Sequence, residues 1–451
     1  MGKTTSTFRR RFRVIAAAAA FSLLAAACGS SSSSSSSGGS SSNSGTVANT
    51  ASAPGITPTT ILLGSHQPLT GPAAPGYSEI APAIQAYFDY LNANGGVYGR
   101  TITLKYEDDA YNPAQTSQVI QKLVLQDNVF GILGGLGTPT HLAVENFLNT
   151  NKVPDIFVAS GCDCWNQPTK DPYTYGFQPD YIIEGKILGT YILSKFAGKK
   201  IGVLYQNDDF GGGGLSGLKQ ILTGGQIVSA QPYDPATLAN GLGTQVAALQ
   251  AAGAQVVVMF TIPAATALAL LAGAVLGYQP TILSSSVAAD PYTLAGLVSN
   301  FSKGKVGASA LQGLYTMAYL PPPSDSTDPW ISLFQKIHDK YDSGNPFDGN
   351  TVFGMSMGYY FAEAMKAAGQ NPTRQDLINA INSKGSSFTG PGLAPLGYSA
   401  TQHLGFLGAE MVQIGANNAL SVTSPIYVTN VSGPVTTHAS TEAPVPANLA
   451  G

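Results

Sequence analysis

From residue 56 onward, short apolar runs alternate with segments of helical periodicity, and this alternation limits the possible folds more than any other feature. Strands that are buried on both faces and separated by helices form parallel sheets with helices on both sides. Helices are predicted at 79–92, 113–126 and 139–148. The predicted strands are 61–64, 101–106, 130–133, 156–159, 201–205, 226–230, 256–260 and 281–283. Because the series breaks off near residues 172–180 and then restarts, we predict two α/β lobes.

The last third of the chain departs from this alternation. A strand is predicted at 311–319, and a run of three prolines ends it. Helices at about 330–341, 352–368 and 374–382 and strands around 406–414 complete the prediction. The polar, proline-rich tail after residue 431 is predicted to be disordered.

The N-terminus has the order of a secretory signal. Residues 1–13 hold five basic residues and no acid, and the apolar stretch at 14–27 is too short to span a bilayer. The sequence LAAAC at 24–28 resembles a bacterial lipobox, in which Cys28 is lipidated, although Ala25 stands where leucine is usual. An ordinary cleavage site is the alternative. The Ser- and Gly-rich residues up to 54 are predicted to be a flexible tether.

Charge excludes one class of partner. Removal of residues 1–27 would leave 17 basic and 25 acidic residues, a net charge of −8. A protein that binds nucleic acid needs a basic surface to meet the phosphates. We therefore expect no nucleic-acid partner.

One motif resembles a hydrolase signature. Residues 354–358 read GMSMG, the Gly-x-Ser-x-Gly pattern that would make Ser356 a nucleophile, and Asp376 and His403 follow in hydrolase order. That motif requires a strand directly before the serine, whereas this segment is predicted to be helical. An exported hydrolase is therefore the alternative function, and we expect no catalytic residue.

A second motif resembles a dinucleotide fingerprint. Residues 212–217 read GGGLSG, and Asp234 stands 20 residues beyond Gly214. Several residues separate the motif from the preceding strand, whereas the fingerprint follows its strand directly. We expect a loop that caps a helix, and no cofactor.

The histidines and cysteines do not predict a metal site. The five histidines are scattered without metal-ligand spacing. Cys162 and Cys164 are two residues apart, and outside the cytoplasm a disulfide is their expected state. Because two extended residues separate Cα atoms by about 6.5–7 Å, the upper edge of what a disulfide tolerates, the chain must bend between them.

Several sequence blocks, taken together, resemble bacterial type I solute-binding proteins, with the leucine/isoleucine/valine-binding branch the most similar. The blocks are GSHQPLTGPAAPG at 64–76, YLNANGGVYGR at 90–100, EDD at 107–109, KLV at 122–124, GILGG at 131–135, KVP at 152–154 and VLYQNDDFG at 203–211. The resemblance covers about residues 56–430. No single block is specific to this family, but the full set of blocks in this order is.

The resemblance implies a type I periplasmic binding protein fold: two doubly wound parallel-sheet lobes joined by a three-strand hinge, with the ligand in the cleft. The expected division is 1–27 signal peptide, 28–54 lipidated tether, 55–178 and 321–402 first lobe, 179–320 and 403–431 second lobe, and 432–451 tail. It also implies a monomeric, extracytoplasmic lipoprotein that captures an amino acid, amide or carboxylate by hinge closure. The partner would be an ABC permease; a ligand sensor without a transporter is a further alternative.

Candidate ligand-binding residues follow from the loops at the carboxyl ends of the predicted strands. They are Gln67, Tyr77, Thr138, Ser160, Cys162, Phe210, Thr261 and Ser285. By position, Thr138 and Ser160 would receive a ligand carboxylate and Phe210 would form an apolar wall. Amino-acid binders of the family hold the ammonium group with a carboxylate of the second lobe. Here serines occupy the matching stretch and Asp290 comes several residues later, which argues against an α-amino acid.

The lipobox predicts where the protein partitions. Acylation of Cys28 should carry the protein into the detergent phase of a Triton X-114 extraction, because acyl chains bury about 0.8 kcal/mol per CH₂ group. Cys28→Ser should lose the lipid and move to the aqueous phase. Equal recovery of both forms from the aqueous phase would remove the lipoprotein interpretation.

Overall fold

The computed structural model describes residues 48–449, so Cys28 and the predicted signal segment lie outside the described residues. Inside that range no helix combines the length and the apolar character needed to cross a membrane. Residues 48–54 were expected to belong to the flexible tether, and this expectation is wrong for them. Thr50 donates its N–H to the Oδ1 of Asn371 at 2.8 Å, and its carbonyl accepts a hydrogen bond from Arg100 at 2.9 Å.

The first lobe is built on a five-stranded sheet in the order β2-β1-β3-β4-β5, and all its strand pairs are parallel. Its strands are β1 (Thr60–Gln67), β2 (Thr101–Asp108), β3 (Ile132–Leu133), β4 (Asp155–Val158) and β5 (Thr174–Gly176). The helices between them are α1 (Ala74–Tyr77), α2 (Ile80–Ala93), α3 (Pro113–Leu125) and α4 (Thr138–Thr150). Local chemistry sets these bounds: α3 begins at a proline, and the side chain of Asn112 caps its first turn.

The second lobe follows in the chain and repeats the alternation. It contains α5 (Tyr181–Lys195), β6 (Ile201–Gln206), α6 (Asp209–Ile221), β7 (Ile227–Tyr233), α7 (Gly243–Ala251), β8 (Val256–Phe260), α8 (Pro263–Leu276), β9 (Thr281–Ser284), α9 (Pro291–Phe301) and β10 (Tyr315–Ala318). The chain then forms α10 (Pro329–Tyr341), α11 (Gly349–Ala368) and α12 (Arg374–Lys384), of which α10 and α11 pack against α2 of the first lobe.

The second sheet is mixed, which corrects the expectation of two parallel sheets. Strands β7, β6, β8, β9 and β10 pair in parallel. The remaining strands pair antiparallel: β11 (Gly408–Ile414), β12 (Leu420–Val422), β13 (Ile426–Val428) and β14 (Thr436–His438). The predicted strand at 311–319 is shorter than expected, because residues 308–311 form a short 3-10 helix instead.

The tail predicted to be disordered is packed against the protein as far as residue 449. Its strand β14 extends the second sheet. Further along, the N–H of Thr441 bonds to the carbonyl of Leu393 at 3.0 Å, and the indole of Trp330 donates to the carbonyl of Ala443 at 2.6 Å. Leu449 is only 4% exposed. The tail therefore runs from the sheet of the second lobe onto helices of the first, and these contacts outweigh its polar composition.

Three crossovers connect the lobes and lie side by side. They follow β5, β10 and α12, and aromatic side chains hold them together. The ring centroids of Phe177 and Phe406 are 5.4 Å apart, and those of Tyr319 and Phe406 are 5.3 Å apart. The N–H of Phe406 also bonds to the carbonyl of Phe177 at 3.0 Å. The boundaries expected from the sequence, after residues 178, 320 and 402, stay predictions.

Helices α5 and α6 approach each other closely along a line of glycines. A Cβ on Gly185 would collide with the carbonyl oxygen of Gly214 and would lie 2.8 Å from the nitrogen of Leu218. A Cβ on Gly217 would collide with the carbonyl of Ile182. The glycines at 212–217 thus lie inside a helix, so the loop expected there is not found, and Gly214 and Gly217 are the ones that meet the backbone of α5.

Two alanine substitutions should separate packing from helix propensity. Gly185→Ala should lower the free energy of unfolding by about 1–3 kcal/mol, since the new methyl group meets backbone atoms of α6. Gly212→Ala, on the exposed and open side of α6, should raise it by about 0.5–1 kcal/mol. Urea denaturation of both variants measures the difference. A Gly185→Ala variant as stable as the wild type would contradict the close helix contact.

Candidate functional site

A cavity of about 140 Å³ lies between the two lobes. Its walls include residues that follow strands β3, β4, β8 and β9, as well as the proline run after β10. Ligands of open α/β sheets bind outside the carboxyl ends of the strands. In another protein an apolar cavity of about 150 Å³ takes up benzene, so this cavity has the size for a small molecule.

The first helix turn of α4 provides a polar corner of the cavity. Gly137 precedes the helix with φ of 100°, a conformation that favours glycine, and no side chain caps the helix. The first helical residue, Thr138, lines the cavity, and its Oγ1 lies 2.7 Å from the Oγ of Ser160. Uncapped N–H groups and a helix N-terminus favour an anionic or carbonyl oxygen.

Tyr181 connects this corner to the second lobe. Burial raises the pKa of Tyr181, while hydrogen bonds to its hydroxyl from Ser160 and Thr138 act in the opposite direction. Its ring packs against Phe210, with the centroids 4.4 Å apart. One side chain therefore adjoins both the polar corner and an apolar wall.

The rest of the cavity surface is largely apolar. Phe210, Ile262 and Phe353 lie around it, and the prolines at 321–323 form part of its edge. Asp290 is the one charged residue among the lining residues that the structure describes, and no Lys, Arg or His lines the cavity in that part of the chain. The corner at Thr138 must therefore meet a ligand oxygen with neutral donors.

An acidic side chain lies behind the serines at 284–286, contrary to the expectation from the sequence. Ser286 lines the cavity and donates its hydroxyl to the carboxyl group of Glu184, whose other oxygen accepts the Ser286 N–H at 3.3 Å. Glu184 is completely buried, and burial raises its pKa to about 8, opposed by the two bonds from Ser286. A carboxyl group of α5 thus lies one residue behind the cavity surface, so the serines of this stretch no longer speak against an α-amino acid ligand.

More acids meet where the lobes touch at the edge of the cavity. Asp290 of the second lobe accepts the N–H of Gly349, at the start of α11, at 2.9 Å. Burial, followed by the nearby Asp348, raises the pKa of Asp290 to about 7. Burial and Asp348 also raise the pKa of Glu79 to about 9. The contact between the lobes thus favours protonated carboxyl groups.

Three of the eight ligand-binding residues expected from the sequence line the cavity: Tyr77, Thr138 and Phe210. Ser160 lies directly behind Thr138. The amide of Gln67 is used inside the first lobe, where it donates to Ser65 and to the carbonyl of Gly134. The hydroxyl of Thr261 pairs with Thr266, and Ser285 lies behind the wall, where its carbonyl accepts from Thr316. Ser286 takes the place expected for Ser285.

Several aromatic and amide side chains also line the cavity, although the sequence did not indicate them. They are Tyr111, Gln178, Tyr181, Tyr319 and Asn350. A signal did exist for two of them. Gln178 and Tyr181 flank the end of the break at 172–180, where the chain passes from one lobe to the other, and such residues must border the cleft.

The structure places a disulfide between Cys162 and Cys164, next to the cavity but not on its surface. Their Cα atoms are 5.0 Å apart, because residues 163–165 form a short 3-10 turn that supplies the required bend. The Sγ atom of Cys162 is therefore committed to the disulfide, and its expected contact with a ligand is not found.

The enzyme signatures do not assemble into sites. Ser356 is buried in the middle of α11, where no strand precedes it, so the nucleophile geometry is lacking. Asp376 caps α12 together with Thr373, and the Nδ1 of His403 bonds to the carbonyl of Thr174 at 2.8 Å. Asp234 caps the short 3-10 helix at 235–240. Asp376, His403 and Asp234 thus each make structural hydrogen bonds outside any catalytic arrangement.

Comparison with known proteins points to one family. A family model described as periplasmic binding protein matches residues 60–419. Leu/Ile/Val-binding protein homolog 3 of Brucella melitensis is 26% identical over 200 residues, which are 44% of this chain and 53% of that protein. Homolog 1 of Brucella suis is 23% identical over 335 residues, 72% of this chain and 83% of that protein. The chain thus aligns with about half the length of the first relative.

Solved structures share the fold. A fatty acid ABC transporter substrate-binding protein from Thermomonospora curvata superposes with a TM-score of 0.73 at 23% identity, covering 84% of this chain and 95% of that one. A branched chain amino acid ABC transporter protein from Thermus thermophilus with bound valine gives 0.70 at 19% identity, covering 83% and 97%. At these identities the likeness shows a type I periplasmic binding protein fold.

The buried carboxyl group predicts a pH effect on stability. The unfolded chain ionises Glu184 near its ordinary pKa of 4.5, but the folded chain does so only near 8. The folded state therefore binds more protons between these values and loses stability as pH rises through them. The Glu184→Gln variant lacks this titrating group. Its free energy of unfolding should therefore fall less than that of the wild type between pH 5 and pH 8, and the difference should be about 1–3 kcal/mol. Urea denaturation at both pH values measures this, and parallel pH profiles would contradict the buried acid.

Proposed function

The chain belongs to the periplasmic binding protein family, and on that premise we propose that it is a lipid-anchored, extracytoplasmic substrate-binding protein that delivers a small molecule to an ABC permease. The observation that carries this proposal is the small cavity enclosed between two lobes, with a polar corner on one side and an apolar wall on the other. Hinge closure around the ligand would give the closed arrangement, since three crossovers and the tail connect the lobes and the lobes meet again at the edge of the cavity.

The ligand we propose belongs to the amino acid, amide or carboxylate class. Its carboxylate or amide oxygen would lie at the uncapped start of α4, where Thr138, Ser160 and Tyr181 supply hydroxyl groups. Its apolar part would contact Phe210 and the prolines at 321–323. Neutral donors suit an amide and a carboxylate alike, because the helix dipole adds to the hydrogen bonds.

The proposed class includes ligands with an ammonium group, because the carboxyl group of Glu184 can pair with it. A buried ammonium costs several kcal/mol unless a carboxylate or carbonyl oxygens meet it. Glu184 lies behind Ser286, and Asp290 lines the cavity. An ammonium close to either acid would favour its ionised form and would release a proton on binding.

A matched set of four ligands separates these cases: leucine, leucinamide, 4-methylpentanoate and 4-methylpentanamide. They share one apolar body and differ only in the carboxylate and the ammonium group. A bound ligand at 100 times its Kd should stabilise the protein by about 2.7 kcal/mol, which is visible as a rise in Tm. The proposal expects at least one member to bind, and to be recovered unchanged after hours. Turnover of the ligand would instead favour the exported hydrolase.

Thr138→Ala should weaken the bound ligand by about 1–2 kcal/mol, a lost hydrogen bond to a charged or strongly polar group. Thr138→Ser keeps the hydroxyl and should bind nearly as the wild type does. Thr150→Ala, at the exposed far end of the same helix, serves as the control. Isothermal titration calorimetry measures all three. Equal affinities for Thr138→Ala and the control would show that the ligand does not contact the start of α4.

A further inference from the structure

Four buried side chains form a continuous chain of hydrogen bonds inside the first lobe. The Nδ1 of His66 lies 2.7 Å from the Oδ2 of Asp109, and the Nε2 of His66 lies 2.9 Å from the Nδ1 of His141. The Nε2 of His141 lies 2.7 Å from the Oδ2 of Asp155. All four residues are completely shielded from solvent. Neither the fold nor the cavity surface requires two imidazoles at this place.

Both acids also accept hydrogen bonds from donors other than the imidazoles. Asp109 also receives the hydroxyl of Thr116 and the N–H of Tyr111, each at 2.9 Å. Asp155 also receives the hydroxyl of Thr174 at 2.9 Å. A carboxylate has no proton to give. With both acids ionised, the outer nitrogens of the two imidazoles both carry protons.

The two inner nitrogens share one proton. Nε2 of His66 and Nδ1 of His141 face each other at hydrogen-bond distance, so one of them donates and the other accepts. With both acids ionised, the imidazole pair holds three protons on four nitrogens and carries one positive charge between two carboxylates. Loss of the inner proton would set two lone pairs against each other. Gain of another would set two N–H groups against each other.

The imidazole pair lies directly beneath the floor of the cavity. A Cβ on Gly135 would be 2.6 Å from both inner nitrogens, so the backbone of Gly135 packs directly against the hydrogen-bonded pair of nitrogens. The next residue, Leu136, donates its N–H to the carbonyl of His66 at 3.3 Å and lines the cavity. Thr138 follows it, and His141 lies one turn further along the same helix. On the other side, Tyr111 lines the cavity and is bonded to Asp109.

We propose that His66 and His141 are positioning residues, whose shared proton fixes the floor from Gly135 to Thr138 and so sets the affinity of the cleft for its ligand. This rests on the proposed function insofar as it concerns affinity. The number of protons on the imidazole pair and the position of the floor can both be measured without any ligand. The affinity should therefore have a bell-shaped pH dependence, with a loss on each side where the inner hydrogen bond breaks.

Other charged groups surround the pair and belong to its titration. Asp109 comes from the end of β2, and Asp155 comes from β4. Glu145, one turn after His141 on α4, lies near Asp171 and Lys170 of the segment before β5. Trp165 packs edge-on against His141, with centroids 5.0 Å apart, and adds no charge. Burial lowers the pKa of His66, opposed by its bond to Asp109, which disfavours the fourth proton. The folded state therefore loses stability as pH falls below 6.5, the ordinary pKa of His66.

The test begins with the ligand-free protein labelled with ¹⁵N-histidine. Nitrogen-15 NMR across pH 5–9 should show three protonated nitrogens for the pair near neutrality, and the amide signals of Leu136 and Thr138 should shift with the same midpoints. Two neutral imidazoles, or two doubly protonated ones, near neutral pH would overturn the proposal. So would amide signals that do not follow the imidazoles.

The second step compares variants with whichever of the four ligands binds. His66→Gln removes the shared proton and should weaken the ligand at least about fivefold at neutral pH and flatten the pH profile. The control is His338→Gln on α10, where another buried histidine bonds to the carbonyl of Asn345. It should keep the wild-type profile. An unchanged profile in a folded His66→Gln would overturn the proposal. If His66→Gln does not fold, the wild-type profile decides: a flat one through the midpoints of the imidazole signals rejects the proposal.

If none of the four ligands binds, the proposed ligand class fails. The NMR experiment then still decides whether the shared proton holds the floor, so the two failures are distinguishable.

Discussion

The aromatic contact between the crossovers determines how the two lobes face each other across the cleft. Phe177, Phe406 and Tyr319 hold the three connections side by side, so the carboxyl ends of both sheets face one another. The uncapped start of α4, the ring of Phe210 and the acid behind Ser286 meet because of this arrangement. Without it, each lobe would present half of a site to solvent, and neither half alone encloses a small molecule.

The elements that depend on local pattern could be predicted from the sequence, and those that depend on distant pairing could not. The helix at 113–126 and the strand at 256–260 agree with α3 and β8, since proline, an N-cap and a buried β-branched run act within a few residues. The antiparallel strands β13 and β14 and the packed tail were missed. Strands β13 and β14 pair with each other and with β11, and the tail beyond them packs against helices that lie far away along the chain. Composition carries no trace of such partners.

The candidate site was predictable as a set of loops, but not residue by residue. Position after a strand indicated Thr138 and Phe210, and both line the cavity, because the carboxyl end of a parallel strand must reach the cleft. It could not decide between Ser285 and Ser286, since neighbouring side chains in a loop point to opposite sides and the turn decides which is buried. Glu184 was missed for another reason: it lies in a helix, one turn from the crossover, and only the fold brings that helix behind the serines.

The glycine line between α5 and α6 has a consequence for the order in which the second lobe folds. Helix α6 contains five glycines among its 13 residues, and each costs about 1 kcal/mol relative to alanine in a helix interior. A short segment of this composition does not hold a helix by itself in water. It forms when the backbone of α5 is already there to receive it. We therefore expect Phe210, at the start of α6, to reach its place on the cleft wall after the helix that carries Tyr181 and Glu184 has formed.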